Sequence, residues 1–272
     1  MRTARVGDAG IRFDVTGDGE PILLIHGSNL ADGLRPLAAA LRRHTPWLAP
    51  VRYHRRGMGD STSHDDQPRQ GEPVRIEWHA ADALALLDAL GLPSAHVLGY
   101  SYGGTVAIEA ALAAPERVRS LILVEPTLRE VPSADQFLEQ MAPVMDRYRA
   151  GDAAGAVTAT LAWLDTEHWP ELLATVGPDA YEQAVRDTGF FYRSERPSLE
   201  DWTFSPQRAA AVRAPVLSVL GTHSGAFFDD GRELIHRRFP HCADANIPGA
   251  NHLLNLQAPE TIALEVARFL RP

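Results

Sequence analysis

The stretch HVLGYSYGGTVAIEAAL, residues 96–112, joins a short apolar run to an Ala-rich run through Gly99, Ser101, Gly103 and Gly104. A turn that only reverses the chain favours Asn, Asp or Pro. Glycines instead permit a sharp strand-to-helix turn that leaves a serine on strained backbone above the carboxyl edge of a sheet. The pattern G-x-S-x-G in this context is typical of a nucleophile that faces a cleft. The stretch therefore predicts an α/β fold and makes Ser101 a candidate nucleophile.

Further apolar runs lack polar alternation, as strands covered on both faces of a parallel sheet do. They are PILLIHG (21–27), LAPVRYH (48–54), AHVLGY (95–100), SLILVEP (120–126), PVLSVLG (215–221) and, more weakly, ADANIPG (243–249). Helical patterns lie between them, which predicts βαβ units. The turn residues of TGDGEP (16–21), between apolar runs, predict a hairpin. The predicted fold class is α/β, with a mostly parallel central sheet flanked by helices.

The alternation of strand and helix stops between residues 127 and 210. There the chain shows short helical patterns interrupted by proline and rich in aromatic residues, too long for an ordinary loop. We therefore predict an α/β core from residues 1–126 and 211–272, and a helical lid at 127–210. The lid is inserted after the run SLILVEP (120–126), which corresponds to strand six of the complete sheet. An apolar roof over the cleft makes Trp163 and Phe190 candidate substrate-binding residues.

Composition excludes several classes of function. A net charge of −9 argues against nucleic acid as a partner. All 26 basic residues are arginine, so no lysine can form a Schiff base or a P-loop. The single cysteine, Cys242, allows neither an intrachain disulfide nor a thiolate zinc site, and no H-E-x-x-H metal motif occurs. No signal peptide or membrane span is evident. We expect a cytoplasmic protein that needs no cofactor or metal and acts on a small molecule.

Four ordered motifs carry a resemblance to a known family. They are HGSN (26–29), RRGMGDS (55–61), GYSYGG (99–104) and IPGANH (247–252). In this order and context the chain resembles proteins of the α/β-hydrolase fold over essentially its whole length apart from the lid. The resemblance implies a serine nucleophile. It counts against the epoxide hydrolase and dehalogenase branches, which use an aspartate there.

A serine hydroxyl needs an imidazole to accept its proton. The resemblance implies that His252 is this base, whereas we interpret other histidines as solvated or core side chains: His44, His64, His79, His96, His168, His236 and His241. The developing oxyanion needs fixed donors. One should be the amide of Tyr102 at the helix N-terminus, and the resemblance implies that the amide of Ser28 is the second. Asn29 could add a side-chain donor or contact substrate, or it could be a turn residue without either role.

The third member of the triad departs from the commonest pattern of the family. Many relatives carry an aspartate three residues after the glycine that ends strand seven, which is the run PVLSVLG (215–221) in this chain. Here GTHSG places Ser224 at that position. Glu125, at the end of strand six, could reach the same histidine, and some family members place their acid there. Asp229 and Asp230 are alternatives, although acids in a first helical turn are explained by the helix dipole. Glu125 is the favoured acid.

These residues predict a serine hydrolase that cleaves an ester, thioester or lactone of a moderately sized, largely hydrophobic substrate through an acyl-enzyme. The same site could serve C–C hydrolysis, perhydrolysis, acyl transfer or a biosynthetic cyclisation. A binding or receptor protein with weak turnover is a third possibility, favoured by the missing aspartate. His54, where the family often has aspartate, is interpreted as a packing variation.

Overall fold

A computed structural model describes residues 1–63 and 75–271 of the chain. His64 lies outside these described residues. The strands are β1 (Arg2–Val6), β2 (Ala9–Val15), β3 (Glu20–Ile25), β4 (Leu48–Tyr53), β5 (Thr62–Ser63), β6 (Ala95–Tyr100), β7 (Val118–Val124), β8 (Val216–Gly221) and β9 (Ala243–Ile247).

These strands form one sheet in the order β1-β2-β4-β3-β6-β7-β8-β9, and the two-residue β5 pairs with β2. The strands β3, β4, β6, β7, β8 and β9 run parallel, whereas β2 pairs antiparallel with β1, β4 and β5. The mostly parallel sheet predicted from the apolar runs is confirmed. Its parallel order brings the carboxyl ends of β3, β6, β7 and β8 to one edge, where α/β sheets bind ligands.

The predicted hairpin around residues 16–21 does not form, because β4 lies between β2 and β3. Val51 pairs with Val15 on one side and with Leu23 on the other. The turn carries the chain past the start of β4, where the Glu20 amide donates to the carbonyl of Trp47 at 2.7 Å. The glycine-rich turn was recognisable from sequence, but the strand that separates its two arms comes from a distant segment.

Helices cover both faces of the sheet. They are α1 (Arg35–His44), α2 (Ile76–Ala89), α3 (Tyr102–Ala113), α10 (Ala226–Arg238), α11 (Leu254–Gln257) and α12 (Pro259–Leu270), with a 3₁₀ turn at Pro115–Arg117. Successive residues of one strand enter different cores: Leu121 and Leu123 of β7 join the core under α2 and α3, whereas Ile122 joins the core under α1 and α12. Two buried faces explain why the strand sequences show no polar alternation.

The chain between β7 and β8 is helical, and it lies where the sequence interrupts its strand–helix alternation. It contains α4 (Ala134–Arg149), α5 (Ala153–Leu164), α6 (Trp169–Ala174), α7 (Ala180–Phe190), a π-helical turn (Phe191–Glu195), α8 (Arg196–Asp201) and α9 (Pro206–Ala209). Part of this insert has a small apolar core of its own, which includes Leu161, Leu173 and Ala184 and which packs on Leu256 of α11. Within the described residues, no helix combines the length and the apolar character needed to cross a membrane.

Candidate active site

Ser101 is the single residue between β6 and α3, at the carboxyl edge of the sheet. Its backbone adopts φ 54° and ψ −123°, a conformation that L-residues rarely occupy. Three backbone hydrogen bonds hold it there. The Ser101 amide donates to Val124 O at 3.0 Å, and Ser101 O accepts from the amides of Thr127 at 3.1 Å and Gly104 at 2.8 Å. The strand-to-helix turn therefore points the hydroxyl away from the sheet, with its backbone anchored to the segment after β7.

Close backbone approach explains the glycines around this serine. A Cβ on Gly103 would lie 2.2 Å from the carbonyl oxygen of Ile25, and a Cβ on Gly99 would lie 2.3 Å from the carbonyl oxygen of Gly103. Neither contact can be relieved by moving a flexible side chain, because both partners are backbone atoms. The glycines thus allow α3 to start directly against the end of β3, next to the His26–Asn29 motif.

His252 lies in the loop after β9, with its ring against the serine. Its Nε2 is 3.0 Å from Ser101 Oγ. The ring stacks on Phe228, with centroids 3.9 Å apart, and on Tyr100, with centroids 5.2 Å apart. The Tyr100 hydroxyl also donates to the carbonyl of His252 at 2.6 Å. Burial, and then the charge of Glu125, raises the pKa of Tyr100 well above its usual range, so that this phenol remains a donor.

Glu125 follows β7 and faces the other nitrogen of the same imidazole. Its Oε2 is 2.6 Å from His252 Nδ1, and its Oε1 accepts hydrogen bonds from the Gly221 amide at 2.7 Å and the Ser224 hydroxyl at 2.5 Å. The carboxylate is fully buried, and both of its oxygens are hydrogen-bonded. Ser224 occupies the position at which many relatives carry the acid, and here its hydroxyl orients the glutamate. Sequence analysis did not assign this supporting contact.

The two alternative acids, Asp229 and Asp230, lie on α10 and not beside His252. The carboxylate of Asp230 accepts hydrogen bonds from the amide of Ser133 at 3.0 Å and from its hydroxyl at 2.6 Å, and Asp229 is exposed. Of the three candidates, Glu125 is the one that the structure brings to His252. A carboxylate at Nδ1 favours the tautomer with its proton on Nδ1, which leaves the Nε2 lone pair directed at Ser101. Such an arrangement can accept the serine proton.

Ser28 and Tyr102 line the cavity that contains the same serine. A Cβ on Gly27 would lie 2.9 Å from the ring of Tyr100 and 3.1 Å from Ser101 Cβ, so this glycine permits the loop after β3 to approach the nucleophile. Tyr102 is the first residue of α3, and amides in a first helical turn lack partners within the helix. Ser28, Ser101, Tyr102 and His252 all line one cavity.

A fully buried ion pair, which was not predicted from the sequence, contacts the loop after β3. Arg55 Nη2 is 2.6 Å from Glu195 Oε2, and both side chains have no solvent exposure. Arg55 also donates to the Gly27 carbonyl at 3.0 Å and lies 4.7 Å above the ring of Tyr102. Burial opposes ionisation of Glu195, but Arg55 and His79 outweigh it and hold the pKa of this carboxyl below its usual range. The pair joins the insert to the loop after β3.

The cavity above Ser101 has a volume of about 830 Å³, including its solvent-open mouth. Most of its wall is apolar and comes from the insert, through Phe137, Leu138, Met141, Met145, Trp163, Leu164, Phe191 and Leu199. A cavity with an apolar wall and a few polar groups beside Ser101 suits a small organic molecule.

The structure brings Asn29 and Trp163 to this cavity but not Phe190. Asn29 has φ 62° and is buried, and Trp163 is partly exposed in the wall. The ring of Phe190 lies instead beside Gly57, where a Cβ would come within 2.4 Å of it, and the next residue, Phe191, reaches the cavity. Successive helical residues point about 100° apart, which is why one of two adjacent phenylalanines lines the wall.

His54, interpreted from the sequence as a packing variation, lies outside the cavity. His54 is buried, its Nδ1 accepts from the Asp60 amide at 3.0 Å, and it lines a separate polar pocket. Within residues 1–63 and 75–271, no three His, Cys, Asp or Glu side chains are grouped so that they could hold a metal ion.

Comparison with known proteins places the chain in a family. A sequence profile described as alpha/beta hydrolase fold matches residues 20–259. The RutD protein of Azorhizobium caulinodans is 40% identical over 149 residues, which cover 54% of this chain and 51% of that protein. Carboxylesterase YbfK of Bacillus subtilis is 27% identical over 198 residues, covering 68% and 60%. The alignment thus spans little more than half the length of these curated relatives.

A solved structure shows the same fold. The enol-lactonase of Burkholderia xenovorans LB400 superposes with a TM-score of 0.74 at 20% identity, covering 98% of this chain and 99% of that one. At this identity the likeness concerns the fold. The family profile, by contrast, extends over most of the sequence, including the segments that carry Ser28, Ser101, Glu125 and His252. The chain belongs to the alpha/beta hydrolase fold family.

Proposed function

We propose that this chain is a hydrolase that cleaves carboxylic esters or lactones through an acyl-enzyme on Ser101. The observation that carries the proposal is the continuous contact from Ser101 Oγ to His252 Nε2 at 3.0 Å and from His252 Nδ1 to Glu125 Oε2 at 2.6 Å. A serine, an imidazole and a carboxylate in this arrangement form a nucleophile, a general base and a group that orients the base.

In the acylation step, Ser101 Oγ attacks the carbonyl carbon of the substrate while its proton passes to His252 Nε2. The tetrahedral intermediate then collapses, the C–O bond to the leaving group breaks, and the leaving alcohol takes the proton from the imidazole. In the second step, water attacks the acyl carbon, gives its proton to His252, and releases the acid as the serine regains a proton. Glu125 stabilises the imidazolium in both steps and stays ionised.

The negative charge that forms on the carbonyl oxygen needs donors fixed in advance. We assign this role to the amides of Ser28 and Tyr102, because both residues line the cavity beside Ser101 and Tyr102 begins α3, where the helix dipole favours negative charge. The buried Arg55–Glu195 pair supports the first donor, since Arg55 holds the carbonyl of the preceding Gly27. Both donors are therefore attached to rigid elements.

The insert between β7 and β8 acts, in this proposal, as a cap that supplies the substrate pocket. Its apolar side chains form most of the wall above Ser101, which suits a moderately sized, largely hydrophobic acyl or alcohol group. Trp163 is a wall residue in this proposal, and Asn29 contacts substrate close to the carbonyl. The name of the carboxylesterase relative supports ester cleavage. The cytoplasmic location stays a prediction.

Covalent labelling by a fluorophosphonate tests the proposal, because this probe phosphonylates a serine, with loss of fluoride, only when an adjacent base activates it. We expect the wild type to label and to hydrolyse 4-nitrophenyl butyrate, and we expect Ser101→Ala to do neither. Ser94→Ala is the matched control, since Ser94 is a serine whose hydroxyl accepts a hydrogen bond from Arg119 at the exposed surface.

Equal labelling of the wild type and Ser101→Ala would contradict the assignment of the nucleophile. Absence of labelling in a folded wild type would favour the alternative of a binding protein.

A further inference from the structure

Arg129 is a cationic side chain in the wall of the candidate active site that the proposed reaction does not use. It lies on the segment after β7, two residues beyond Thr127, whose hydroxyl oxygen is 3.4 Å from Ser101 Oγ. Arg129 and Ser101 line the same cavity.

Within the part of the chain that the structure describes, Arg129 makes no hydrogen bond, ion pair or ring contact. Its Nε is shielded from solvent and has no acceptor. The neighbouring Glu130 does not neutralise it, because its carboxylate lies 3.3 Å from Arg238. A guanidinium that lacks a counterion gains charge-assisted hydrogen bonds when an anion binds to its terminal N–H groups.

The second arginine of the cavity wall differs in this respect. Arg196 Nη1 is 3.3 Å from Glu200 Oε1, and Glu200 lines the same cavity, so their charges offset each other. The remaining described wall residues carry neither a carboxylate nor a guanidinium group. The cavity therefore combines a large apolar surface with one positive charge that has no counterion among the described residues.

From this contrast we propose that Arg129 is the carboxylate subsite of the cavity, and that the substrate is an amphiphilic ester or lactone with an apolar body and one carboxylate group. This inference rests on the proposed hydrolase function and defines its substrate class. A guanidinium suits this role because its N–H groups form a planar fork that matches the two oxygens of a carboxylate. Arg129 is partly exposed, so its charge is not fully desolvated before the substrate binds.

A matched pair of substrates tests the subsite: 4-nitrophenyl hydrogen adipate, which carries a terminal carboxylate, and 4-nitrophenyl hexanoate, in which a methyl group replaces it. We expect the wild type to prefer the adipate ester. Arg129→Met should reduce the ratio of the two kcat/KM values by about 10- to 100-fold, mainly through the KM of the adipate ester. Arg129→Lys should recover part of the ratio, because it keeps the charge but loses the fork.

Arg149→Met is the control, because Arg149 is an exposed arginine of α4 that pairs with Asp146 on the surface. It should leave the ratio unchanged. If Arg129→Met lowers both kcat/KM values equally or leaves the ratio intact, the carboxylate subsite is refuted, while hydrolysis of the neutral ester still upholds the proposed function.

A binding measurement separates the two proposals if the wild type hydrolyses neither ester. Calorimetry on Ser101→Ala with monobenzyl adipate and with benzyl hexanoate reports the subsite without turnover. Binding of the anionic ester that is at least about tenfold tighter, and that Arg129→Met abolishes in the same background, supports the subsite even if the hydrolase proposal fails. Equal affinity for the two esters refutes it.

Discussion

Replacing Glu125 by glutamine tests the least common feature of the site, an acid at the end of β7. Glutamine keeps the size of the side chain. Its oxygen can still accept from the Gly221 amide and the Ser224 hydroxyl, which lie 2.7 and 2.5 Å from Oε1 of Glu125 in the wild type. Its amide nitrogen then occupies the Oε2 position, 2.6 Å from His252 Nδ1. Two donors cannot face each other, so the imidazole must place its proton on Nε2, where it points at Ser101 and can no longer act as a base.

The expected loss follows from this change of tautomer. The corresponding carboxylate-to-amide replacement in a serine protease lowers kcat by about 10⁴. At about 1.4 kcal/mol per factor of ten, this equals about 5 kcal/mol of transition-state stabilisation. We expect Glu125→Gln to lose about three to four orders of magnitude in kcat/KM, because the oxyanion donors and the substrate cavity remain intact.

The assay is hydrolysis of 4-nitrophenyl butyrate across pH 6 to 9, with circular dichroism and urea unfolding to verify that the variant is folded. Asp230→Asn and Asp229→Asn are the matched controls, since the first carboxylate bonds to Ser133 and the second is exposed. Both should stay within about a factor of three of the wild type. Retention of more than a tenth of the activity in folded Glu125→Gln would refute the assignment, and a large loss in either control would transfer the role to that aspartate.

Two further predictions concern stability. Glu195→Gln should lower the free energy of unfolding by about 3–5 kcal/mol, because it leaves Arg55 buried without its counterion. The exposed partner of Arg237 provides the control, and Glu233→Gln should cost less than about 1 kcal/mol in the same urea titration; similar losses in the two variants would contradict this reasoning. Burial raises the pKa of Asp187 from 3.8 to about 6. Between these values the unfolded chain releases its proton first, so this group lowers native stability as pH rises, by about 3 kcal/mol once pH exceeds 6. Asp187→Asn should therefore lose about 2 kcal/mol less than the wild type between pH 4 and pH 7 in urea unfolding, since part of the change lies below pH 4. An identical pH dependence would show that Asp187 ionises normally.

Local sequence predicted those features that depend only on contiguous residues. The apolar runs identify the strands because both faces of the sheet are buried, and the glycines at 99 and 103 indicate the turn because no side chain fits against the backbone there. The same reasoning failed for the hairpin at residues 16–21. Its turn residues indicate that the chain reverses, but they do not indicate which strand pairs with β2.

Distant contacts decided what local patterns could not. Which phenylalanine of an adjacent pair enters the cavity depends on the rotation of α7 and of the π-helical turn that follows it. Arg55 and Glu195 form an ion pair although they are 140 positions apart in the sequence. The residues around each of them form no pattern that predicts this partner. Such contacts arise from the packing of the insert on the core, which short-range periodicity does not encode.

For this chain, the amino-acid sequence by itself determined the α/β fold, the family and the candidate nucleophile, because strand burial and the tight turn around Ser101 are properties of contiguous residues. Tertiary structure alone decided which carboxylate meets His252. That choice depends on how the ends of β7, β8 and β9 converge, where the Gly221 amide and the Ser224 hydroxyl bind one oxygen of Glu125 and leave the other for the imidazole.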